Sequence, residues 1–254
     1  MLLWSSGISY LIKVLLKMEY ENIFRHRGRS YDLAMNRYPN ARNQEFHQLF
    51  ARHPITKNET VLDVPSLGGY LKKYCPEDTT VLSLDFSESI NNVSVVSPYE
   101  KWNISNVDRI VCLASIHHIQ KLGLFLNNLS SNIKNKGFIH LADVSSGSNI
   151  SVFLDEFIGK YTSTGEHKGL YYNWNNILFP KNLSVLSISE IECPWIFESV
   201  IDMINYCKLL FDLQNISDNE ILDGLTKYVG YKAINNNIYL NWHLTYIDLQ
   251  YNRI

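Results

Sequence analysis

The chain has 254 residues, 46% of them apolar, with 23 basic and 25 acidic side chains and a formal charge of -2. That length buries the core of one enzyme-sized α/β domain with an inserted segment, and a nearly neutral chain without a basic run lacks the positive field that a nucleic-acid backbone demands. Cys75, Cys112, Cys193 and Cys207 stand far apart with no CxxC pair, so reduced thiols are expected and a metal site is not.

Residues 1–18, MLLWSSGISYLIKVLLKM, are apolar but carry Lys13 and Lys17 and end without a small-residue cleavage site. They are too short and too charged to span a bilayer and do not read as a secretory signal. An amphipathic helix over 3–22 capping the domain is expected, with a membrane-surface or dimerisation helix as the alternative. The expected location is cytoplasmic.

From Thr60 onward, short apolar runs alternate with helix-length amphipathic stretches, the pattern of a parallel sheet covered on both faces. Strands are expected at 60–64, 80–85, 93–96, 107–113 and 137–143. Leu122, Phe125, Leu126 and Leu129 recur at helical spacing in 120–133, as do Ile201, Ile204, Leu209 and Leu210 in 195–213, and both stripes read as core packing. The stretch 161–195, rich in Gly, His, Tyr, Trp and Pro, is too long for an ordinary loop and is expected to cap the mouth of a site. Near the end, 235–237 is an Asn-rich turn signal and 238–250 alternates with period two, which predicts an antiparallel strand pair closing the sheet edge.

In an open parallel sheet a ligand sits beyond the carboxyl ends of the strands. After the first strand, VLDVPSLGGYL (61–71) offers Gly68 and Gly69, where a backbone can approach a nucleoside, and Asp85 ends the second strand, where a carboxylate can accept hydrogen bonds from ribose hydroxyls. Pro65 and Leu67 spoil a dinucleotide GxGxxG, which disfavours a dehydrogenase, and no Gly-Lys-Ser/Thr completes a P-loop.

The run Asp63-Val64-Pro65-Ser66-Leu67-Gly68-Gly69 resembles the first motif of class I S-adenosylmethionine (SAM) dependent methyltransferases, and Asp85 matches the acidic residue of their second strand. DRIVCLASIHHI (108–119) resembles the fourth motif of the ubiquinone/menaquinone-type branch, and NIKNKGFIHLADV (132–144) is similar to its turn and fifth strand. The resemblance covers about residues 55–145. It implies a Rossmann-like, mostly parallel seven-stranded sheet with an antiparallel terminal strand, plus a helical cap. Residues 55–254 would form the methyltransferase domain and 1–54 a helical segment over the cofactor site.

The resemblance also implies SAM as cofactor, bound by Asp63, Val64, Pro65, Gly68, Gly69, Asp85, Phe86, Ser97, Tyr99, Ala114 and Ser115. Tyr31, Arg37 and Arg42, in the basic stretch 25–42, are its candidates for the methionine carboxylate; the plain alternative for that stretch is a solvated helix face. Two glycines of the motif are replaced, which implies a looser turn. Ser97-Pro98-Tyr99 stands where relatives place an acidic residue near adenine, so Tyr99 or Trp102 is expected against the ring.

Methyl transfer from a sulfonium is an in-line displacement, so the protein mainly aligns the acceptor and excludes water. His117 and His118, leaving the fourth strand, and His167, in the cap, are the candidate catalytic bases; a structural role for the His pair is the alternative. Tyr171, Tyr172, Trp174, Trp195 and Phe197 are candidate walls of an acceptor chamber. The expected function is methylation of oxygen or carbon in a small organic acceptor of secondary or cofactor metabolism. No nucleic-acid partner or stable membrane insertion is expected, and a homodimer is allowed. Two alternatives stand beside it: a methyltransferase-like binding or scaffold module, and an enzyme for a lipid-like or carrier-bound acceptor anchored by residues 1–17.

Overall fold

The computed structural model describes residues 20–88, 93–165 and 167–253, so the expectations for residues 1–17 lie outside the described residues. Among these residues, no helix is long and apolar enough to cross a membrane.

Helix α1 (Tyr20–Arg37) buries Tyr20, Ile23, Phe24, Tyr31, Ala34 and Met35 along one face, as helical spacing of apolar residues requires. It is followed by α2 (Asn43–Phe50), which buries Phe46, Leu49 and Phe50. The strands are β1 (Thr60–Asp63), β2 (Thr80–Asp85), β3 (Ser94–Val95), β4 (Val107–Leu113), β5 (Ile133–Asp143), β6 (Leu183–Glu192) and β10 (His243–Tyr251), in the spatial order β3-β2-β1-β4-β5-β10-β6. The first five pair in parallel, and β10 is antiparallel to both of its neighbours. Helix α3 (Leu122–Asn132) crosses from β4 to β5 with Leu122, Phe125, Leu126 and Leu129 all buried.

After β5 the chain forms α4 (Asn149–Val152), continues through a π-helical segment Phe153–Ile158 and closes with one more turn, Gly159–Tyr161. Helices α5 (Val200–Leu210) and α6 (Asp218–Tyr228) complete the helical layer, and Ser199 and Ser217 cap them by accepting the backbone N–H of Asp202 and Glu220. Arg27 and Ser30 of α1 donate to the carbonyls of Leu210 and Leu209, which ties α1 to the end of α5, where cations and donors are favoured.

Four sequence expectations change. The terminal strand pair does not close the sheet: β8 (Tyr231–Ile234) and β9 (Asn237–Leu240) join β7 (Trp195–Phe197) in a separate sheet of order β7-β9-β8. The edge belongs to β6, because β10 buries every residue from Leu244 to Leu249 and a strand buried on both faces takes an interior place. The cap is accordingly shorter than 161–195, since Leu183–Glu192 is β6, whose Ser and Glu side chains suit a solvated edge. The helix read over 195–213 begins only at Val200, because Trp195–Phe197 pairs with β9. Where the alternation of strands with helix-length stretches places a helix between the first two strands, the paired glycines lead into a short 3-10 turn, Tyr70–Tyr74.

A buried polar row stitches β10 into the sheet. Arg109 in β4 donates to His140 Nε2 in β5 at 3.0 Å, so His140 carries its proton on Nδ1 and donates it to Asp248 in β10 at 2.8 Å. Asp248 also accepts from Ser187 of β6 at 2.7 Å and from Arg52, just past α2, at 2.5 Å. Burial alone would raise the Asp248 carboxyl, but the hydrogen bonds from His140, Arg52 and Ser187 outweigh it and hold the group well below the usual carboxylate range.

Asp248→Asn is therefore expected to lower the unfolding free energy by about 3 kcal/mol, because it leaves Arg52 facing a neutral partner in a buried network. A depressed carboxyl contributes its full stability above about pH 4 and loses it as pH falls toward the folded value. Urea unfolding at pH 7 and pH 3 measures both: the gap between wild type and variant should narrow at the lower pH.

Candidate functional site

The carboxyl ends of β1, β2, β4 and β5 converge under α1. The turn after β1 is left-handed at Leu67 (φ 47°), Gly68 (φ 99°) and Gly69 (φ 78°), the region where only glycine is free of Cβ strain. Asp85, fully buried at the end of β2, takes the backbone N–H groups of Phe86 and Ser87 on Oδ1, and Leu67 N–H and the Tyr20 hydroxyl on Oδ2. Each oxygen thus holds two donors, which fills the carboxylate. Burial lifts its pKa even against these donors. Asp63 is raised well above its usual range by burial and by the charge of Asp85, and its Oδ2 has no hydrogen-bond partner.

Beyond β2 and β3 opens a cleft of about 390 Å³ lined by Tyr20, Phe86, Ser97, Pro98, Tyr99 and His118. Deeper under α1 lies a second cavity of about 60 Å³, bordered by Phe24, Arg27, Tyr31, Leu67, Ala114 and Trp195 together with His117, His118 and His167. His118 faces both.

The three histidines form one cluster. The His117 and His118 rings are 4.0 Å apart between centroids, and His167 lies 5.6 and 5.3 Å from them. Asp143, ending β5, accepts the His117 backbone N–H and the Val144 N–H, each at 2.7 Å, and its Oδ1 lies 2.7 Å from His117 Nδ1. Asp143 already accepts two amide N–H groups, so its contact with the ring is one in which Nδ1–H donates, and Nε2 is the nitrogen that Asp143 leaves unengaged. Asp155, in the π-helical segment, stands 3.9 Å from His167 Nδ1 and reaches it through Tyr171: it accepts from Gly169 N–H and from the Tyr171 hydroxyl, and the Tyr171 oxygen lies 3.4 Å from His167 Nδ1. Gly159 lets this loop approach, since a Cβ there would lie 3.0 Å from the His167 backbone nitrogen. Burial, then repulsion from His117 and His167, drives the His118 pKa far down, and burial brings His167 to about 4. His118 Nδ1 has no hydrogen-bond partner.

Two buried arginines border the inner cavity and differ in charge balance. Arg42 pairs with Glu45 at 2.5 Å and donates to Tyr31 at 2.8 Å, while Glu45 also accepts from Trp195 Nε1 at 2.5 Å. Arg27 donates to Leu210 O and lies over the Phe24 and Phe211 rings, its Nε has no partner, and no ion pair joins it to a carboxylate among the described residues. Burial lowers its pKa to about 10, so it stays charged.

Of the residues singled out from sequence, Phe86, Ser97 and Tyr99 line the outer cleft, and Tyr31, Arg42, Ala114, Trp195 and the three histidines line the inner cavity. Val64 and Ser115 are fully buried beneath them, Pro65 is buried as well, and Gly68 and Gly69 shape the turn without lining either space. Arg37 is exposed and packs on Tyr38 beside Phe197 in a separate surface groove, away from the cavities. Tyr172 donates to Ile119 O, and Trp174 is buried against it, so both hold the cap down rather than line a chamber. Trp102 is buried beneath Phe86 and donates to Ser97 O, leaving Tyr99 alone at the cleft. Sequence reasoning passed over Tyr20, Arg27, Asp143 and Asp155. The one signal among them was the Asp that closes the apolar fifth strand, the same signal that marked Asp85.

No family model and no curated protein matches this sequence. Solved structures match its fold. A Haemonchus contortus phosphoethanolamine N-methyltransferase 2, crystallised with phosphomonomethylethanolamine and S-adenosylhomocysteine, is 13% identical with a TM-score of 0.60, covering 92% of this chain and 60% of that one. Coclaurine N-methyltransferase with N-methylheliamine and S-adenosylhomocysteine is 14% identical, TM-score 0.53, over 82% and 69%. The YcgJ protein of Bacillus subtilis is 12% identical, TM-score 0.58, over 84% and 100%. With its 3-2-1-4-5 run of parallel strands and one antiparallel strand slotted before the edge, the chain has the fold of the class I methyltransferases.

Proposed function

We propose that the protein is a SAM-dependent methyltransferase acting on a compact organic acceptor. The observation that carries this reading is Asp85: a carboxylate at the end of β2 whose fourth position is filled by the phenol of Tyr20, the same kind of donor as a ribose hydroxyl. The residues around it fit the nucleoside. The cleft beside Phe86 and Tyr99 suits an adenine, and the orphaned Oδ2 of Asp63 and Nε of Arg27 await polar partners.

When bound, SAM supplies an electrophilic methyl group on a sulfonium. The chain's residues would hold and enclose it: Asp85 would take the ribose in exchange for Tyr20, and Arg27, which makes no ion pair among the described residues, would take the methionine carboxylate, while Arg42 is already neutralised by Glu45. Leu67, Trp195 and Phe211 keep water from the reacting point. The acceptor is held among the three histidines, the only imidazoles lining the two cavities described above. The small inner space, bordered by buried side chains, favours a compact acceptor over a macromolecular one.

Titration with SAM and S-adenosylhomocysteine tests the assignment. At a hundred times Kd a ligand stabilises the fold by about 2.7 kcal/mol, which is roughly 5 to 10 °C in Tm for a domain of this size. The absence of a shift with either ligand favours the binding-module alternative. Calorimetry then separates the two contacts. Tyr20→Phe should tighten SAM binding about tenfold, since a hydrogen bond to a charged group is worth about 1.5 kcal/mol and no longer has to be surrendered. Arg27→Met should weaken binding about tenfold or more through a lost charge-assisted bond; unchanged affinity would remove Arg27 from the site.

A further inference from the structure

We infer that His117, His118 and His167 form a binding site for a divalent metal ion of the zinc class. One ligand nitrogen from each ring lies within 4.8 Å of the other two, and all three residues are at least nine-tenths buried. Small ring rotations bring such nitrogens to the roughly 3.3 Å spacing that tetrahedral ligands have around zinc at about 2.0–2.1 Å. The metal site concerns the imidazoles themselves and does not depend on whether SAM is the cofactor; only the part it plays toward an acceptor rests on the proposed methyl transfer.

Three further features match what a metal demands. A ligating imidazole hands its second nitrogen to a carboxylate, carbonyl or water, which fixes the ring and strengthens the donor. His117 does this with Asp143 at 2.7 Å, and His167 turns its Nδ1 to the Tyr171 oxygen at 3.4 Å, which Asp155 holds in turn. These contacts use Nδ1 in both rings and leave both Nε2 lone pairs for a metal. His118 supplies the third donor, because its buried Nδ1 has no hydrogen-bond partner and an orphaned buried nitrogen is costly unless something binds it.

The carboxyl groups of Asp143 and Asp155 stand behind the ligands, where they face the charge of a dication in a cavity that Arg27 also borders. Three protein ligands leave the fourth tetrahedral position open toward the inner cavity. An oxygen, nitrogen or sulfur of the acceptor can take that position, which makes the metal a handle for the acceptor and narrows its class to molecules with a metal-binding heteroatom.

The test is direct metal binding by the full chain, stripped with chelator and titrated with Co2+ and Zn2+ in the absence of any nucleoside. The expected result is one equivalent bound at micromolar or tighter affinity, with the visible absorption of tetrahedral cobalt. His118→Ala and His167→Ala should each lose at least a hundredfold in affinity. Asp143→Asn should lose ten- to a hundredfold, while circular dichroism confirms the fold; His167→Gln serves if an alanine variant fails to fold. No uptake by the native chain, or cobalt binding unchanged in His118→Ala and His167→Ala, overturns the site. Because SAM titration is run separately on the metal-free chain, a failure of either reading is seen independently of the other.

Discussion

The geometry of this site hangs on the carboxylate of Asp143. Placed at the end of β5, it gathers the N–H of its own successor Val144, the N–H of His117 and the His117 ring. Those bonds bind the loop after β4 to the strand beside it. From there the order spreads: His117 O accepts the Leu170 N–H, which draws the cap down, and Tyr171 stacks on the His117 ring at 5.5 Å. A single buried carboxyl group, taking three donors, thus sets the loop, the ring and the cap in one arrangement.

Much of the framework was legible because burial writes itself as periodicity. The run 107–113 is the fourth strand as read, and 80–85 the second, since both are short apolar segments ended by turn chemistry. The place of β10 was not legible. Alternation shows that a strand has one more buried face than another, but its neighbours are chosen by partners such as His140, Ser187 and Arg52, which lie 61 to 196 residues away in sequence. The cap failed for a related reason: Leu183–Glu192 carries enough Ser and Glu to pass for irregular chain, as an edge strand can.

The site was half legible. Strand ends exposed Asp85 and the His pair, and the glycines marked the turn, but which groups already have partners is invisible in a string of letters. Arg37 and Arg42 read as well as any arginine could, yet one faces solvent and the other is spent on Glu45. Arg27 sits on the same helix as Arg37, one more basic residue among several, and only packing shows that it is buried without an ion pair among the described residues. The likeness to methyltransferase structures fixes the fold and leaves these side chains to be argued on their own chemistry.

The position of β10 has a consequence for assembly. Residues 243–251 follow β6 by some fifty positions yet lie between β5 and β6, so β6 has no hydrogen-bonding neighbour until they arrive. The half of the sheet from β3 to β5 can form from consecutive segments as they emerge from a ribosome, whereas the other half must wait for a distant stretch of chain. A nascent polypeptide halted before residue 243 would expose an unpaired flank of β5, and molecular chaperones would meet that flank first.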